Sequence, residues 1–253
     1  TKLQRGDVLF IDEIHRLPAA VEEFIYPAME DFKIDFTIDT GMHAKTIPIT
    51  LKPFTLIGAT TRAGLLSGPM RSRFGITHNL EFYNHEDLLS ILERSAGLLG
   101  LGGGSAKPQA ALLEALATIA DRSRGTPRIA NRLLRRVRDY AQVKADDKLT
   151  AALVDEALKL EGVDELGLDE IDRKYLTVIG TTYEGGPVGL EAVAATLGED
   201  SGTLESMVAP YLLQIGFLAR TRKGRMLTKA GAGHVGGKFR PAEDQAADDD
   251  ALF

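Results

Sequence analysis

Cysteine is absent from the 253 residues, and the five histidines are scattered along the chain. The lack of cysteine excludes disulfide bonds and cysteine-ligated metals, and the histidines show no metal-ligand spacing, so we expect no structural zinc. Long hydrophobic runs are also missing. No stretch approaches the roughly 18 apolar residues of a membrane-spanning helix, and no signal peptide opens the chain, so we expect a cytoplasmic protein.

Acidic residues outnumber basic residues overall, but one segment is basic. The formal net charge of −6 argues against a uniformly basic nucleic-acid binder, although a hydrophobic content of 44% allows a substantial core in two or three domains. Residues 207–242 nevertheless contain seven Lys or Arg and no Asp or Glu. Acidic residues then return, and the polar composition of residues 241–253 predicts a disordered acidic tail.

Residues 8–13 carry the clearest chemical signal in the chain. Four apolar residues predict a strand buried on both faces, as in a parallel sheet, and the two acids that follow lie where α/β folds bind ligands. In nucleotide hydrolysis, Asp12 would hold Mg²⁺ through water and Glu13 would orient or deprotonate the attacking water. A strand followed by an ordinary acidic helix N-cap is the alternative on these residues alone.

A second apolar strand, residues 54–59, is followed by Thr61, whose hydroxyl could contact the γ-phosphate or the attacking water beside those acids. The alternative is an ordinary turn residue. Two arginines, Arg71 and Arg73, then lie in a loop bounded by glycine and proline. A guanidinium supplied by a neighbouring subunit stabilises a transferring phosphoryl group, whereas solvated loop arginines are the alternative.

Arg128 follows a proline at the first turn of a predicted helix, and anions are favoured at a helix N-terminus. The arginines further along that helix are typical of a solvated face. The residues from Asn84 to Leu160 show a helical pattern, interrupted by a glycine-rich stretch at residues 97–107, and this pattern predicts a small all-helical domain.

Two stretches of alternating apolar residues flank residues 40–44 and predict a β-hairpin with a long loop. Pro48 favours an edge strand, so we expect the hairpin to project from its domain. The apolar residues of the two arms are Ile34, Phe36, Ile38, Ile47, Ile49 and Leu51.

The last third of the chain follows a linker at residues 162–167 and shows three helical segments and a short ribbon, which is typical of a winged helix. Basic side chains on a flexible ribbon contact phosphates without reading bases, so we expect sequence-independent binding to nucleic acid. Protein docking is the alternative use of this fold. The candidate phosphate contacts are Arg220, Arg222, Lys223 and Arg225.

Four segments in this order, residues 11–17, 58–64, 71–76 and 124–138, closely resemble the RuvB family of bacterial Holliday-junction branch-migration motors, which belongs to the AAA+ class. The resemblance extends to about Phe239. It implies an α/β AAA+ core with a parallel sheet, partial here because its N-terminal part is missing, then an all-α lid domain and a C-terminal winged helix domain. The implied boundaries are 1–83, 84–162 and 168–240, with the acidic tail at 241–253.

The same resemblance implies the roles of the candidate residues, ATP and Mg²⁺ as cofactors, and a homohexameric ring around duplex DNA. It also implies a RuvA-like junction-binding partner, docked on the hairpin, and a RuvC-like resolvase at the same Holliday junction. We choose Arg73 over Arg71 as the finger because AAA+ fingers usually immediately precede an apolar residue. The implied roles are a Walker B pair at Asp12 and Glu13, sensor 1 at Thr61, an arginine finger at Arg73 and sensor 2 at Arg128.

The phosphate-binding loop G-x-x-x-x-G-K-[ST] does not occur in the sequence, since residues 236–239 lack the first glycine and the hydroxyl. We therefore expect a fragment of a longer protein that by itself binds ATP poorly, if at all, and is inactive. The expected function of the intact protein is ATP-driven branch migration in recombination, DNA repair and the SOS response to DNA damage. The alternatives are a clamp-loader-like AAA+ subunit, which would not predict the winged helix, and a non-catalytic winged-helix DNA-binding regulator.

Overall fold

A computed structural model of the chain describes residues 2–38, 45–101, 110–145 and 148–239. The chain divides into two compact units, Thr1–Leu80 and Glu81–Phe253. Within the described ranges, every helix is too short or too polar to cross a bilayer.

The first unit combines a small parallel sheet with a hairpin and two helices. The parallel strands are adjacent in the sheet but far apart in the sequence, and they are aligned so that Val8 faces Thr55 and Ile11 faces Gly58. Both strands therefore end at the same edge. In chain order, its elements are β1 (Val8–Ile11), a 3-10 turn (Ile14–Arg16), α1 (Ala19–Glu30), β2 (Lys33–Ile38), β3 (Lys45–Thr50), β4 (Thr55–Gly58), a second 3-10 turn (Ala63–Leu65) and α2 (Gly68–Arg73).

The prediction that β1 is buried on both faces is wrong for this chain. Val8 and Phe10 are each 58% exposed, and Ile57 on β4 is largely exposed as well. A central parallel strand is buried only when further strands and helices cover it, and the parallel sheet in the described residues has two strands. At the carboxyl edge, Gly58 leaves room for Ile14, since a Cβ at residue 58 would lie 2.9 Å from Ile14 Cδ1.

The hairpin prediction is confirmed. β2 and β3 pair antiparallel, with Ile34 opposite Ile49 and Phe36 opposite Ile47. Phe36, Ile47 and Ile49 are exposed, whereas Leu51 at the end of the hairpin is buried. The backbone of Ile38 pairs in the hairpin as predicted, and the predicted loop at residues 40–44 lies outside the described residues.

Four helices form the first part of the second unit around a leucine- and alanine-rich core. Asn84 caps the first of them by accepting the Asp87 amide at 2.8 Å, and Thr150 caps the last in the same way. The core includes Leu92, Leu116 and Leu134, all fully buried. The helices are α3 (His85–Leu98), α4 (Ala110–Asp121), α5 (Pro127–Lys144) and α6 (Ala151–Leu160), and the glycine-rich stretch is described only up to Leu101.

A second core, centred on Tyr175, Leu176 and Leu212, holds the last part of the chain together. Gly224 begins the second ribbon strand with φ 139°, and a Cβ there would lie 2.3 Å from the Val188 carbonyl oxygen, so only glycine fits. The elements are α7 (Glu170–Thr181), α8 (Leu190–Leu197), α9 (Ser201–Thr203), a π-helical turn (Leu204–Val208), α10 (Ala209–Gln214), β5 (Leu218–Thr221), β6 (Gly224–Leu227) and α11 (Lys229–Val235).

Candidate active site and basic ribbon

The carboxyl edge of the parallel sheet brings Glu13 and Thr61 into contact. Asp12 and Glu13 follow β1 directly, and Thr61 lies three residues after β4. The Thr61 amide donates to the Glu13 carboxylate at 3.3 Å, and the Thr61 hydroxyl donates to the same group at 3.1 Å. The Asp12 side chain is exposed beside them and accepts the Glu13 amide at 3.0 Å. The carboxylates and the hydroxyl thus share one small exposed region, as a nucleotide-hydrolysing site requires.

The Glu13 carboxylate is stabilised in its ionised form. Its pKa is lowered mainly by the hydrogen bond from the Thr61 amide, with further contributions from the Thr61 hydroxyl and from the nearby charges of His15 and Arg16. The Glu13 backbone is left-handed, with φ 47° and ψ 47°. This conformation is strained for a residue with a side chain, and such strain concentrates at functional sites.

Sequence reasoning missed His15, which is a direct neighbour of Glu13. Its Nδ1 lies 3.1 Å from Glu13 Oε2 and 2.7 Å from Thr60 Oγ1, and the imidazole is almost fully buried. The Thr60 hydroxyl in turn accepts the Arg62 amide at 3.0 Å. The one available signal was the position of His15 two residues after Glu13, which is informative only once a 3-10 turn is known to follow β1.

Arg71 and Arg73 lie in the short helix α2, so the prediction that they lie in a loop is wrong. Arg73 is the last residue of α2 and contacts residues of its own unit. Its Nη1 donates to the Pro69 carbonyl at 2.8 Å, and its Nε lies 3.0 Å from Glu30 Oε1 at an ion-pair separation. Its guanidinium also stacks on the Tyr26 ring at 4.4 Å from the ring centre. Arg71 is more exposed and donates from Nη2 to the Ala63 carbonyl at 2.5 Å. The two candidate fingers therefore differ in how firmly they are held.

Arg128 lies in the first turn of α5, as predicted, and its side chain is exposed. The loop before it is fixed by its backbone. Gly125 has φ 64°, and a Cβ there would lie 2.7 Å from Phe82 Cβ, while the Tyr83 amide donates to the Gly125 carbonyl at 2.9 Å. The start of α5 is thereby held against the start of the lid.

Arg124, four residues before Arg128, joins the lid to the winged helix. Its Nη2 forms an ion pair with the buried Asp172 and lies 3.1 Å from Asp169 Oδ2, and its Nε donates to the Gly167 carbonyl at 2.7 Å. Tyr211 lies beside the guanidinium at 5.3 Å. Burial, together with the charge of Asp169, raises the pKa of Asp172 to about 7 although Arg124 acts in the opposite direction. These contacts identify a structural joint.

The ribbon presents three of its four predicted phosphate contacts to solvent. Arg220, Arg222 and Lys223 are exposed. Arg225 is not: it is 8% exposed, its Nη2 lies 3.5 Å from Glu205 Oε1, and its backbone pairs with Val188. This placement argues against the predicted phosphate contact at Arg225.

Comparisons with known proteins agree with this architecture along the chain. The structure is similar to the Thermotoga maritima RuvB Holliday junction branch migration motor, with a TM-score of 0.80 and 47% identity over 95% of this chain and 73% of that chain. A point mutant of Thermotoga maritima RuvB gives a TM-score of 0.82 and 48% identity over 95% of this chain and 74% of that chain. Three family models match, the RuvB P-loop domain at residues 1–80, the RuvB AAA lid domain at 83–164 and the RuvB C-terminal winged helix domain at 165–236.

These similarities confirm the predicted fold class, an AAA+ core followed by a lid and a winged helix. They also favour the motor over a clamp-loader-like subunit and over a non-catalytic DNA-binding regulator, because all three matched domains are those of one motor. The chain therefore belongs to the RuvB family of AAA+ ATPases, the Holliday junction DNA helicases that drive branch migration.

Proposed function

We propose that this chain supplies the motor subunit of a homohexameric ring that uses ATP and Mg²⁺ to migrate Holliday junctions. A RuvA-like protein would present the junction to the ring, and a RuvC-like resolvase would act on the same junction. The observation that carries the proposal is the contact between Glu13 and Thr61 at the shared end of β1 and β4. An acid and a hydroxyl from two parallel strands meet there, as water activation requires.

The carboxylates at this edge suit magnesium, because Mg²⁺ prefers oxygen ligands and is held through one or two carboxylates. Asp12, which is exposed beside Glu13, would hold the ion through water. When bound, the ion supplies charge neutralisation at the phosphates. Glu13 orients the attacking water and accepts its proton, a role that its lowered pKa keeps available at neutral pH. Thr61 holds the Glu13 carboxylate through its amide and its hydroxyl.

The remaining charges at the nucleotide come from arginines. Arg73 would reach the γ-phosphate of a neighbouring subunit and stabilise the charge on the transferring group, a contribution worth about 10³ to 10⁵ in rate. Arg128 would contact a phosphate from the first turn of α5, where the helix N-terminus adds its own attraction for anions. The family resemblance and the exposure of Arg128 support these assignments.

Duplex DNA would contact Arg220, Arg222 and Lys223 on the ribbon through its phosphates. The hairpin would dock the RuvA-like partner, and the exposure of Phe36, Ile47 and Ile49 supports this assignment. Three large apolar side chains exposed on one hairpin are typical of a protein interface. Ile34, which is half-buried, and Ile38 would complete the arms of that hairpin.

The experiment is a measurement of DNA-stimulated ATP hydrolysis by the full-length gene product and its Glu13→Gln variant. Loss of the general base is expected to lower kcat by about 10² to 10⁴ while nucleotide binding is retained. Glu23→Gln is the matched control, because Glu23 is an exposed acid on α1 of the same unit. Unchanged turnover in Glu13→Gln would reject the proposed role of the β1 edge.

A further inference from the structure

We infer that Tyr26, assisted by Glu30, is the positioning residue for the Arg73 finger. The inference rests on the proposed function, since it takes Arg73 to act at the active site of a neighbouring subunit. It adds two residues of α1 to the set that determines turnover. Neither residue faces the nucleotide bound by its own subunit in this proposal.

The Tyr26 ring is held in place by contacts that do not involve Arg73. Its hydroxyl donates to Glu22 Oε2 at 2.6 Å and lies 3.1 Å from the Ser67 hydroxyl. Ser67 also donates to Glu22 at 2.8 Å and caps α2 by accepting the Met70 amide at 3.2 Å. The three side chains form a closed triangle that ties α1 to the first turn of α2. The ring face is therefore fixed relative to the helix that carries Arg73.

Arg73 lies on this platform with its orientation determined from three sides. The ring contacts the flat face of the guanidinium at 4.4 Å, Glu30 lies beside Nε at 3.0 Å, and the Pro69 carbonyl accepts from Nη1 at 2.8 Å. The Nε atom is fully buried, and its approach to Glu30 lacks hydrogen-bond geometry, so Glu30 acts on it through charge. A guanidinium held in its plane and on its face loses little conformational freedom when it meets a phosphate.

Such support matters because a catalytic group misplaced by about 1 Å can lose about 10²-fold in rate. Arg71, two residues earlier, is more exposed and its one described side-chain hydrogen bond joins it to the Ala63 carbonyl. The difference in support favours Arg73 as the arginine on which turnover depends. The raised pKa of Tyr26, caused first by its hydrogen bond to Glu22, keeps the phenol a hydrogen-bond donor.

Two substitutions of Tyr26 in the full-length gene product test the contribution of its ring and that of its hydroxyl in turn. Tyr26→Leu removes the face under Arg73 and is expected to lower kcat about tenfold with the KM for ATP unchanged, since a cation–π contact of this kind contributes up to about a tenfold effect. Tyr26→Phe keeps the ring but loses the hydroxyl contacts, and a smaller loss of kcat than in Tyr26→Leu is expected. Phe24→Leu is the matched control, an exposed aromatic residue on the same helix.

Rings assembled from two kinds of variant subunit show whether the Tyr26→Leu substitution affects its own active site or that of the neighbouring subunit. Subunits with Tyr26→Leu retain Glu13, so mixing them with Glu13→Gln subunits places intact Arg73 platforms beside intact Glu13 sites. Activity of the mixture above the sum of the two separate proteins is expected. The Arg73→Ala variant mixed with the same Glu13→Gln subunits is the reference for a finger that acts between subunits.

The activities of the two mixtures distinguish the inference about Tyr26 from the proposed role of Arg73. If the Arg73→Ala mixture regains activity and the Tyr26→Leu mixture does not, Tyr26 acts within its own subunit and the inference is overturned. If neither mixture regains activity, the proposed finger between subunits fails and the inference fails with it. If circular dichroism shows that Tyr26→Leu does not fold, Tyr26→Phe and Glu30→Gln replace it in the same mixing design, with the same criterion.

Discussion

Replacing Arg124 by alanine tests the joint between the lid and the winged helix. The substitution leaves Asp172, which has no exposed side-chain surface, without its cationic partner. It also removes the hydrogen bond to the Gly167 carbonyl and the contact with Tyr211. Removing one partner of a buried ion pair costs about 3 to 5 kcal/mol, because the remaining charge is buried and unpaired.

We expect a loss near the lower end of that range, about 3 kcal/mol at pH 8, because Asp172 can still accept the Asp169 amide at 2.9 Å and can take up a proton. For a domain of this size, a loss of that magnitude lowers the thermal midpoint by roughly 6 to 12 °C. The assay is thermal denaturation of the chain followed by circular dichroism. Arg128→Ala, which removes an exposed arginine four residues further along the chain, is the control.

The loss is expected to depend on pH with a defined sign. The folded-state pKa of Asp172, about 7, lies above that of an unfolded aspartate, so this group favours folding below pH 4 and its contribution is lost as the pH rises through 7. Arg124 lowers that pKa, so in Arg124→Ala it lies higher still and the loss continues to a higher pH. The difference in free energy of unfolding between the unsubstituted chain and Arg124→Ala therefore widens above pH 7, by up to about 1.4 kcal/mol per pH unit.

A gap that is equal at pH 6 and pH 8.5 would refute this reasoning, because it would show that Asp172 does not titrate in response to Arg124. The Asp172→Asn variant provides an independent check. It removes the titratable group, so the cost of adding Arg124→Ala to it is expected to be independent of pH between 6 and 8.5.

Two further predictions concern the glycine at the joint and the ribbon. Gly167→Ala is expected to lower the free energy of unfolding by about 2 to 4 kcal/mol, because φ is +76° and the new Cβ would lie 2.5 Å from the Arg122 carbonyl oxygen. Gly233→Ala in α11 is the control, since its new Cβ meets nothing and the substitution is expected to stabilise the chain by up to about 1 kcal/mol. Equal effects of the two substitutions in urea titrations would contradict this packing. Arg222→Ala is expected to reduce the slope of log affinity against log salt for duplex DNA by about one, and Arg225→Ala to leave that slope unchanged. The reverse order would show that Arg225 leaves Glu205 to reach DNA.

The parts of the fold that could be predicted from sequence are those coded by local pattern. The alternation around Ile34 and Ile47 specified the hairpin, and Asn84 three residues before Asp87 specified a helix start. Two apolar strands followed by Asp12 and Thr61 indicated the edge at which the candidate site lies.

The contacts that could not be predicted join residues far apart in the sequence. Arg124 and Asp172 are separated by 48 positions, and nothing in the neighbourhood of either residue indicates the other. Arg225 has the same composition around it as its exposed neighbours, and its burial beside Glu205 depends on contacts between residues far apart in the sequence. The exposure of β1 was missed for a related reason, because a strand sequence carries no information on whether covering elements are present.

The joint at Arg124 has a consequence for how force is transmitted. Two domains that move independently have twelve rigid-body degrees of freedom. The lid and the winged helix, joined by the Arg124–Asp172 ion pair and by the contact of Gly167 with Arg122, would move together with six. Arg128 lies four residues after Arg124, in the first turn of α5, so a displacement of that turn would be passed through the Arg124 contacts to the winged helix. The displacement of the ribbon would then increase with its distance from the Arg124 joint.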